Sequence, residues 1–382
     1  MRVLILGIDG YIGWPLAMHL AGRGHRVQGI DNLSRRGRVL AEGGQSAFSL
    51  PAISERARRL GIAVSTGSVG PTEDDTLVNV LAAFHPEVIV HLAEQPSAPW
   101  SMRSEQNCQE TVRENLASTL AVLWAMREWS PGAHLVKLAS MGEYGTPGVD
   151  IPEGWFDLEF RGRSTRALFP RSPGSFYHAS KAADSLMVEM ACRTWGLAST
   201  DIMQGVVYGT RTPEMGDPVD PALRTRFDFD QCFGTVINRF CTQAVLGLPI
   251  RPYGGGGQIR GYLPLVDSIQ CLRIITESPP SPGRYRVVNQ FEEVSSVLDL
   301  AYRVSVEADV LGLSTSIICA ENPRLEAENH HYAPDHEILA SLGYSPTCGM
   351  SQAISHMIQD LLTARERLEE ASGAIDPTVR WG

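Results

Sequence analysis

Tyr177 and Lys181 have the types and spacing for redox chemistry on an alcohol. They lie four residues apart in the run Ser175-Phe176-Tyr177-His178-Ala179-Ser180-Lys181, so a helix would place them on one face. The ammonium group would then stabilise the phenolate and lower the pKa of Tyr177. Such a phenol is a general base for a sugar or alcohol hydroxyl while a nicotinamide accepts the hydride. Most Tyr/Lys pairs at this spacing are exposed surface residues without a function. The prediction of redox chemistry therefore depends on the motifs that precede this pair in the sequence.

An apolar run followed by three glycines opens the chain and predicts a dinucleotide site. Gly7, Gly10 and Gly13 follow residues 2–6 at three-residue spacing and lead into a helical pattern. The glycines allow a tight turn, the approach of a pyrophosphate to the backbone and close packing of helix on strand. The helix N-terminus favours the phosphate charge. A glycine-rich turn without a ligand is the weaker alternative.

Asp31, at the end of the second strand-like run (25–31), indicates which dinucleotide is bound. A carboxylate there accepts hydrogen bonds from the adenosine ribose and repels a 2′-phosphate, which favours NAD over NADP. Arg35 and Arg36 argue the other way, since guanidinium groups shortly after this strand can bind a 2′-phosphate. We expect NAD.

Composition and charge restrict the class of protein. The chain has 382 residues, 43% of them hydrophobic and 20% charged, which suits one large α/β unit with a main core and a smaller lobe. The first apolar run is too short for a membrane span or a signal sequence. Seven scattered cysteines without a C-x-x-C pair suggest reduced thiols in a cytoplasm. A net charge of −10 without a long Lys/Arg run opposes nucleic acid or an anionic membrane as partner.

Strand-like and helical runs alternate through about residue 210, as in a doubly wound parallel sheet. We expect a dinucleotide-binding domain over 1–210, a substrate-binding lobe over 211–349 with some elements returning to the first domain, and a C-terminal helix and tail over 350–382. Charged residues suggest that this last helix, over about 350–370, is a solvated surface helix, namely Arg365, Arg367, Glu369 and Glu370. Strands are expected near 2–7, 25–31, 62–69, 87–94, 133–140 and 197–208.

The chain resembles the extended short-chain dehydrogenase/reductase family over nearly its whole length. The motifs that carry this likeness are, in chain order, the glycine turn, Asp31, Ser140, Tyr177 and Lys181. Within that family the chain is most similar to the UDP-sulfoquinovose synthase subfamily. The runs that carry this likeness are Gly10-Tyr11-Ile12-Gly13-Trp14, Glu94-Gln95, Ser97-Ala98-Pro99, Met141-Gly142-Glu143-Tyr144-Gly145, Gln204-Gly205-Val206-Val207-Tyr208-Gly209 and Asn322-Pro323-Arg324. The resemblance implies an α/β fold of Rossmann type with a doubly wound parallel sheet and a smaller C-terminal lobe. It also implies a homodimer paired through helices near 105–129 and 175–195.

The resemblance also implies the roles of individual residues. The catalytic residues would be Ser140, Tyr177 and Lys181, with His178 as a further acid/base candidate. NAD would be bound by Gly7, Gly10, Tyr11, Ile12, Gly13, Asp31, Asn32, Arg35, Arg36, Ser68, Val69, Leu92, Ala93, Lys181 and Gln204. A UDP- or GDP-linked sugar would be bound by Gln95, Met141, Gly142, Glu143, Gln204, Asn238, Arg260, Arg324 and Glu328. Two guanidinium groups, Arg260 and Arg324, suit a diphosphate in a chain that is acidic overall.

The implied chemistry begins with oxidation of the sugar at C4 to a bound 4-keto sugar. A 4,6-dehydratase of this family carries an Asp-Glu pair after its catalytic Thr, and here Ser140 is followed by Met141 and Gly142. A sulfoquinovose synthase eliminates water across C5 and C6 and adds sulfite, but it usually has an Arg at the position of Pro96. Loss of that cation weakens sulfite capture unless Arg103 or another group replaces it. We therefore expect a nucleotide-sugar 4-epimerase, with UDP-sulfoquinovose synthase as the alternative, and a dehydratase or a non-catalytic dinucleotide-binding module as lesser ones.

Two other features have plain interpretations. The cluster His330, His331, Asp335 and His336 could suggest a metal site, but a loop bordering the substrate is the better interpretation and we expect no metal. Glu143 is either a proton donor to the sugar or a buried carboxylate bonded to the backbone.

Overall fold

A computed structural model describes residues 1–70, 75–324, 327–376 and 379–380. The strands are β1 (Arg2–Leu6), β2 (Arg26–Asp31), β3 (Ala63–Thr66), β4 (Val88–His91), β5 (His134–Ser140), β6 (Trp155–Phe160), β7 (Arg163–Leu168), β8 (Ala198–Gln204), β9 (Val206–Tyr208), β10 (Ile259–Pro264), β11 (Tyr285–Gln290) and β12 (Glu293–Ser296). The helices are α1 (Gly13–Gly22), α2 (Ser34–Ala41), α3 (Ile53–Arg59), α4 (Thr76–Phe84), α5 (Ala98–Ser101), α6 (Glu105–Trp129), α7 (Phe176–Trp195), α8 (Val236–Leu246), α9 (Leu265–Glu277), α10 (Val297–Val310), α11 (Glu337–Ser341), α12 (Met350–Leu362) and α13 (Arg365–Glu370). Among these described residues, no helix is long and apolar enough to cross a bilayer.

The described strands form a seven-stranded parallel sheet in the order β11-β8-β5-β4-β1-β2-β3. Its central strands are apolar and almost inaccessible because helices cover both faces. The order reverses between β1 and β4, the place where such sheets bind ligands at the carboxyl ends of their strands. The expected Rossmann-type fold is confirmed.

A second, three-stranded sheet, β12-β10-β9, forms the smaller lobe with helices α8, α10 and α12 around it. The expected single strand over 197–208 is wrong, since β8 joins the main sheet and β9 joins the small one. The chain passes between the sheets at Gly205, where a Cβ would lie 2.6 Å from the carbonyl oxygen of Gly261. Strand β11, although it belongs to the later half of the chain, lies at the edge of the main sheet.

Two further elements depart from the sequence analysis. Strands β6 and β7 form an antiparallel hairpin that was not expected, because most of its residues are exposed on both faces and no alternation marks it. The expected surface helix over 350–370 is wrong. It is two helices, and α12 buries Ile354, Met357, Ile358 and Leu361 completely against the lobe core. The charged residues of α13 had obscured that apolar stripe.

Candidate functional site

A cavity of about 720 Å³ lies at the carboxyl ends of the central strands, between the main sheet and the smaller lobe. Loops after β1, β2, β4, β5 and β8 form one wall, and residues before α8 and around β10 form the other. Most of the expected site residues line it. These are Gly7, Gly10, Tyr11, Ile12, Gly13, Asp31, Asn32, Arg35, Ser68, Val69, Leu92, Ala93, Ser140, Tyr177, His178, Lys181, Gln204, Asn238, Arg260 and Arg324.

The glycine turn provides close backbone access for a dinucleotide. Gly7 has a φ of +87°, which favours glycine. A Cβ at Gly13, where α1 begins, would lie 2.2 Å from the Gly7 carbonyl oxygen. A side chain there would push the helix away from β1, and backbone N–H groups at the turn would no longer reach a pyrophosphate. The turn therefore fits the diphosphate of NAD.

Asp31 lies at the end of β2 with both carboxylate oxygens oriented by backbone donors. The Asp9 N–H donates to Oδ2 (2.8 Å) and the Leu33 N–H donates to Oδ1 (2.7 Å). Burial nevertheless raises the pKa of this carboxyl, and the charge of Asp9 adds to the effect. Arg36 is bound by Asp9 and is not among the cavity-lining residues, whereas Arg35 lines the cavity and is bound by Asp228.

At the reacting end, Tyr177 and Lys181 project from the first turns of α7, which begins after its N-cap Ser175. The Lys181 ammonium group donates to Glu94 and to the Leu138 carbonyl oxygen. Burial raises the pKa of the Tyr177 phenol, and the charge of Glu94 raises it further. The lowered phenol pKa expected from the spacing is therefore wrong for this arrangement, because the phenol is buried and Glu94 both faces it and binds the lysine.

His178 lies beside Tyr177 with 4.9 Å between ring centroids. Its Nδ1 is 2.9 Å from the Ser175 hydroxyl oxygen. Its Nε2 lies so close to Gly142 that a Cβ there would be 2.2 Å away. Burial, with the charges of Arg260 and Arg324, lowers the pKa of the imidazole to about 3, so the ring is neutral.

The part of the cavity lined by the smaller lobe carries cations and an amide. Arg260 lines it and donates to the Ile259 carbonyl oxygen (2.8 Å). Asn238 donates to the Asp228 carbonyl oxygen (2.9 Å), while its Oδ1 is buried with no hydrogen-bond partner among the described residues. Arg324 lies over the ring of Tyr253. These cations and the unpartnered amide oxygen suit an anionic ligand that also carries hydrogen-bond donors.

Five more of the expected residues are not among those that line the cavity. Gln95 is buried and donates to Thr111 Oγ1 (2.7 Å). Glu143 is buried and accepts from the Ser140 N–H (3.1 Å) and the Ser185 hydroxyl (3.1 Å), contacts that fit the structural alternative better than a proton donor to the sugar. Glu328 accepts from the Gly255 N–H (2.9 Å). Met141 belongs to the core, and Gly142 makes room for His178.

Several lining residues were not predicted as site residues. Glu94 lies three residues after the end of β4, and a polar residue near the carboxyl end of a central strand is a signal that could have found it. Arg226, Arg239 and Tyr253 lie in the smaller lobe, and Arg239 and Tyr253 stack at 5.1 Å. No spacing pattern marks these three, since they come together only through the packing of the lobe.

The histidine cluster and Arg103 do not contribute cavity-lining groups. His331 is 2.7 Å from Asp150, and His336 stacks on Phe291. Across the described residues, no three His, Cys, Asp or Glu side chains converge as metal ligands. Arg103 forms an ion pair with Glu42 outside the main cavity. It therefore does not replace the arginine that was expected at the position of Pro96.

Comparison with known proteins identifies the family. The profile of the NAD dependent epimerase/dehydratase family matches residues 3–289. The chain belongs to this family. It is accordingly an NAD-dependent enzyme of a family that modifies nucleotide sugars, and the glycine turn and Asp31 fit that cofactor.

Two relatives match the whole chain. UDP-sulfoquinovose synthase of Sulfolobus acidocaldarius is 45% identical over 100% of this chain and 98% of its own length. The chloroplastic UDP-sulfoquinovose synthase of Spinacia oleracea is 39% identical over 100% of this chain and 79% of its own length. These matches confirm the predicted resemblance, and they do not support the expectation that a 4-epimerase is the better interpretation.

Solved structures of family members share the fold. UDP-glucuronic acid 4-epimerase from Bacillus cereus, in complex with UDP-glucuronic acid and NAD, superposes with a TM-score of 0.70 at 18% identity. The match covers 95% of this chain and 99% of the epimerase. At this identity the likeness concerns the fold alone.

Proposed function

We propose that the protein converts a UDP-linked hexose, with UDP-glucose as the expected substrate, and sulfite into a UDP-linked 6-sulfonated sugar. The two synthases that match the whole chain support this reaction over simple epimerisation. The structural observation that carries the proposal is the position of His178. Its neutral imidazole fills the space beside Gly142, the position where the dehydratases of the family carry the second carboxylate of their Asp-Glu pair.

The first step is deprotonation of the C4 hydroxyl by Tyr177. The Ser140 hydroxyl accepts the Gly142 N–H (3.1 Å), so its own hydrogen is available to donate to the C4 oxygen. NAD, when bound, supplies a reversible hydride acceptor for C4. For Tyr177 to act as the base, its raised pKa must fall. Release of Lys181 from Glu94 would provide this by bringing the ammonium charge toward the phenol.

The second step is loss of water across C5 and C6. A ketone at C4 makes the C5 hydrogen acidic. We assign to His178 Nε2 the transfer of that proton from C5 to the C6 hydroxyl, which leaves as water and yields a C5=C6 double bond. Ser175 fixes the ring through Nδ1, so that Nε2 serves the substrate. Sulfite then forms the S–C6 bond, and C5 takes up a proton. Return of the hydride to C4 and of the Tyr177 proton to the C4 oxygen restores the C4 hydroxyl.

A 4-epimerase remains the second candidate because of two observations. Pro96 stands where the synthase subfamily usually has an Arg, and Arg103 is paired with Glu42 away from the cavity. An epimerase requires only rotation of the keto sugar and return of the hydride to the opposite face, without a cation for sulfite.

One assay separates the two functions. The protein is incubated with UDP-glucose in deuterium oxide, with and without sulfite, and the products are analysed by mass spectrometry and NMR. A sulfonated sugar nucleotide formed only with sulfite, together with deuterium at C5, supports the proposal. Formation of the C4 epimer without sulfite and without deuterium at C5 would establish the epimerase instead.

We also propose that the enzyme is a homodimer through the outer faces of α6 and α7. These helices pack against each other and leave large apolar side chains exposed, namely Leu120, Trp124, Leu186 and Met190. Trp124 and Trp195 join the two helices at 4.9 Å between ring centroids. An apolar surface of this kind suits burial against a second copy.

A further inference from the structure

The residues after β2 pose a problem of cofactor selection. Asp31 favours the ribose diol of NAD, yet two arginines follow it closely, and free guanidinium groups there would bind the 2′-phosphate of NADP. The structure resolves this conflict through the partners of the arginines. Each is bound by an aspartate that also binds a second arginine.

Asp9, the third residue of the glycine turn, is the partner of Arg36. Arg36 donates from Nε to Oδ2 (2.6 Å) and from Nη2 to Oδ1 (2.8 Å), a bidentate pair. Arg56 donates from Nη2 to the same Oδ1 (2.6 Å). Asp9 is 3% exposed and Arg56 is fully buried, stacked on Trp14 at 4.6 Å. The fork of Arg36 is therefore engaged by a carboxylate that is itself fixed in the interior.

The aspartate is also adjacent to the ribose-binding carboxylate. The backbone N–H of Asp9 donates to Asp31 Oδ2, so the two residues are directly linked. The guanidinium of Arg36 interacts electrostatically with Asp31 as well as with Asp9. Arg35 instead interacts with Asp228, Arg226 and Asp230, and its Nη2 lies 2.8 Å from Asp228. Arg36, although it does not line the cavity, is thus linked to Asp31 both by charge and through Asp9, and about one third of its side chain is exposed.

We infer that Asp9 makes the site selective for NAD by holding the guanidinium group of Arg36 in a bidentate ion pair that a 2′-phosphate cannot enter. Asp31 alone repels the phosphate. Asp9 removes the cation that would compensate for this repulsion. The inference concerns the cofactor and does not depend on which sugar reaction the enzyme performs.

The test measures cofactor selection directly. Full-length protein is equilibrated with a defined mixture of NAD and NADP, freed of unbound dinucleotide and denatured, and the released cofactors are quantified by mass spectrometry. In Asp9→Asn, the bound NADP:NAD ratio should rise by about tenfold or more, as expected for gain of a charge-assisted contact. In Asp9→Asn/Arg36→Gln the ratio should return to near the natural value. No rise in the single variant, or a rise that persists in the double variant, would overturn the inference.

Two further variants keep the test decisive. Asp228→Asn removes the matched aspartate that binds Arg35 and Arg226, and a rise of the same size there would contradict the assignment to Asp9. Arg36→Gln in the otherwise natural chain needs no change at Asp9, so it remains informative if Asp9→Asn does not fold. The ratio should stay the same in that variant, and a fall in bound NADP would show that Arg36 already binds the 2′-phosphate.

Discussion

His178 is the residue that distinguishes an elimination from a simple epimerisation at this site. If His178 moves the C5 proton, His178→Gln should lower the rate of sulfonated product by roughly two to four orders of magnitude, because a general acid/base is lost. Oxidation at C4 depends on Tyr177 and should persist, visible as a rise in absorbance at the nicotinamide band in a single turnover. An unchanged rate of sulfonation in this variant would remove His178 from the mechanism.

The pKa of His178 leads to a prediction about pH. Burial lowers this pKa to about 3, so the imidazole gains a proton only when the pH approaches that value. The ring is neutral at every pH above it, and activity should show no loss from protonation of His178 between about pH 5 and pH 8. Measurement of kcat/KM against pH tests this. The prediction would be contradicted if kcat/KM of the natural protein fell as the pH dropped through the ordinary histidine pKa and this fall were absent in His178→Gln.

Tyr177 is the expected base for the C4 hydroxyl. Tyr177→Phe should lower turnover by roughly two to four orders of magnitude while NAD still copurifies, since the residues expected to bind the dinucleotide are unchanged. The matched control is Tyr302→Phe, which removes a hydroxyl from an exposed tyrosine of α10 outside the cavity. Near-natural turnover in Tyr177→Phe would exclude the proposed role.

At the level of elements, the short 3₁₀ turn Met141–Glu143 after β5 sets the position of His178 on α7. A Cβ at Gly142 would lie 2.2 Å from Nε2, so Gly142→Ala should displace the ring and lower sulfonation by about tenfold or more. Gly132→Ala is the control, because a Cβ there meets no atom within 4 Å. Equal activity of the two variants would show that the ring position is not set by this contact.

The same elements show what the sequence could and could not predict. The strand, glycine turn and helix at the N-terminus follow from local rules, because the apolar run, the positive φ of Gly7 and the close approach of Gly13 to the Gly7 carbonyl oxygen all lie within a few residues. Burial of the Tyr177 phenol and the pairing of Lys181 with Glu94, 87 positions away, both come from tertiary packing, so helical spacing alone predicted the wrong direction for the pKa of Tyr177. The β6–β7 hairpin lacks a buried face and therefore lacks the alternation by which strands are predicted.

At the level of the whole molecule, the cavity depends on contacts between its two walls. The Ala47 N–H donates to the Phe227 carbonyl oxygen (2.9 Å), and Ser46 bridges to Asp228. The Asp228 carboxylate also binds Arg35, which lies after β2. The Asp228 carbonyl oxygen accepts a hydrogen bond from Asn238 of the smaller lobe. The loop after β2, which is expected to bind the ribose, and the expected substrate site are therefore both in contact with Asp228. Only the folded chain brings these segments together, which is why the sequence predicted the members of the site but not their connections.

The last prediction concerns assembly. If the outer faces of α6 and α7 pair with a second copy, Leu186→Glu combined with Met190→Glu should convert a dimer into a monomer, because like charges would be buried in the interface. Size-exclusion chromatography with light scattering measures the mass directly. Val310→Arg is the control, since Val310 is 75% exposed on α10, away from these helices. A natural protein that is monomeric at micromolar concentration, or a double variant that stays dimeric, would contradict the proposed interface, and dissociation by Val310→Arg would place the interface on the smaller lobe instead.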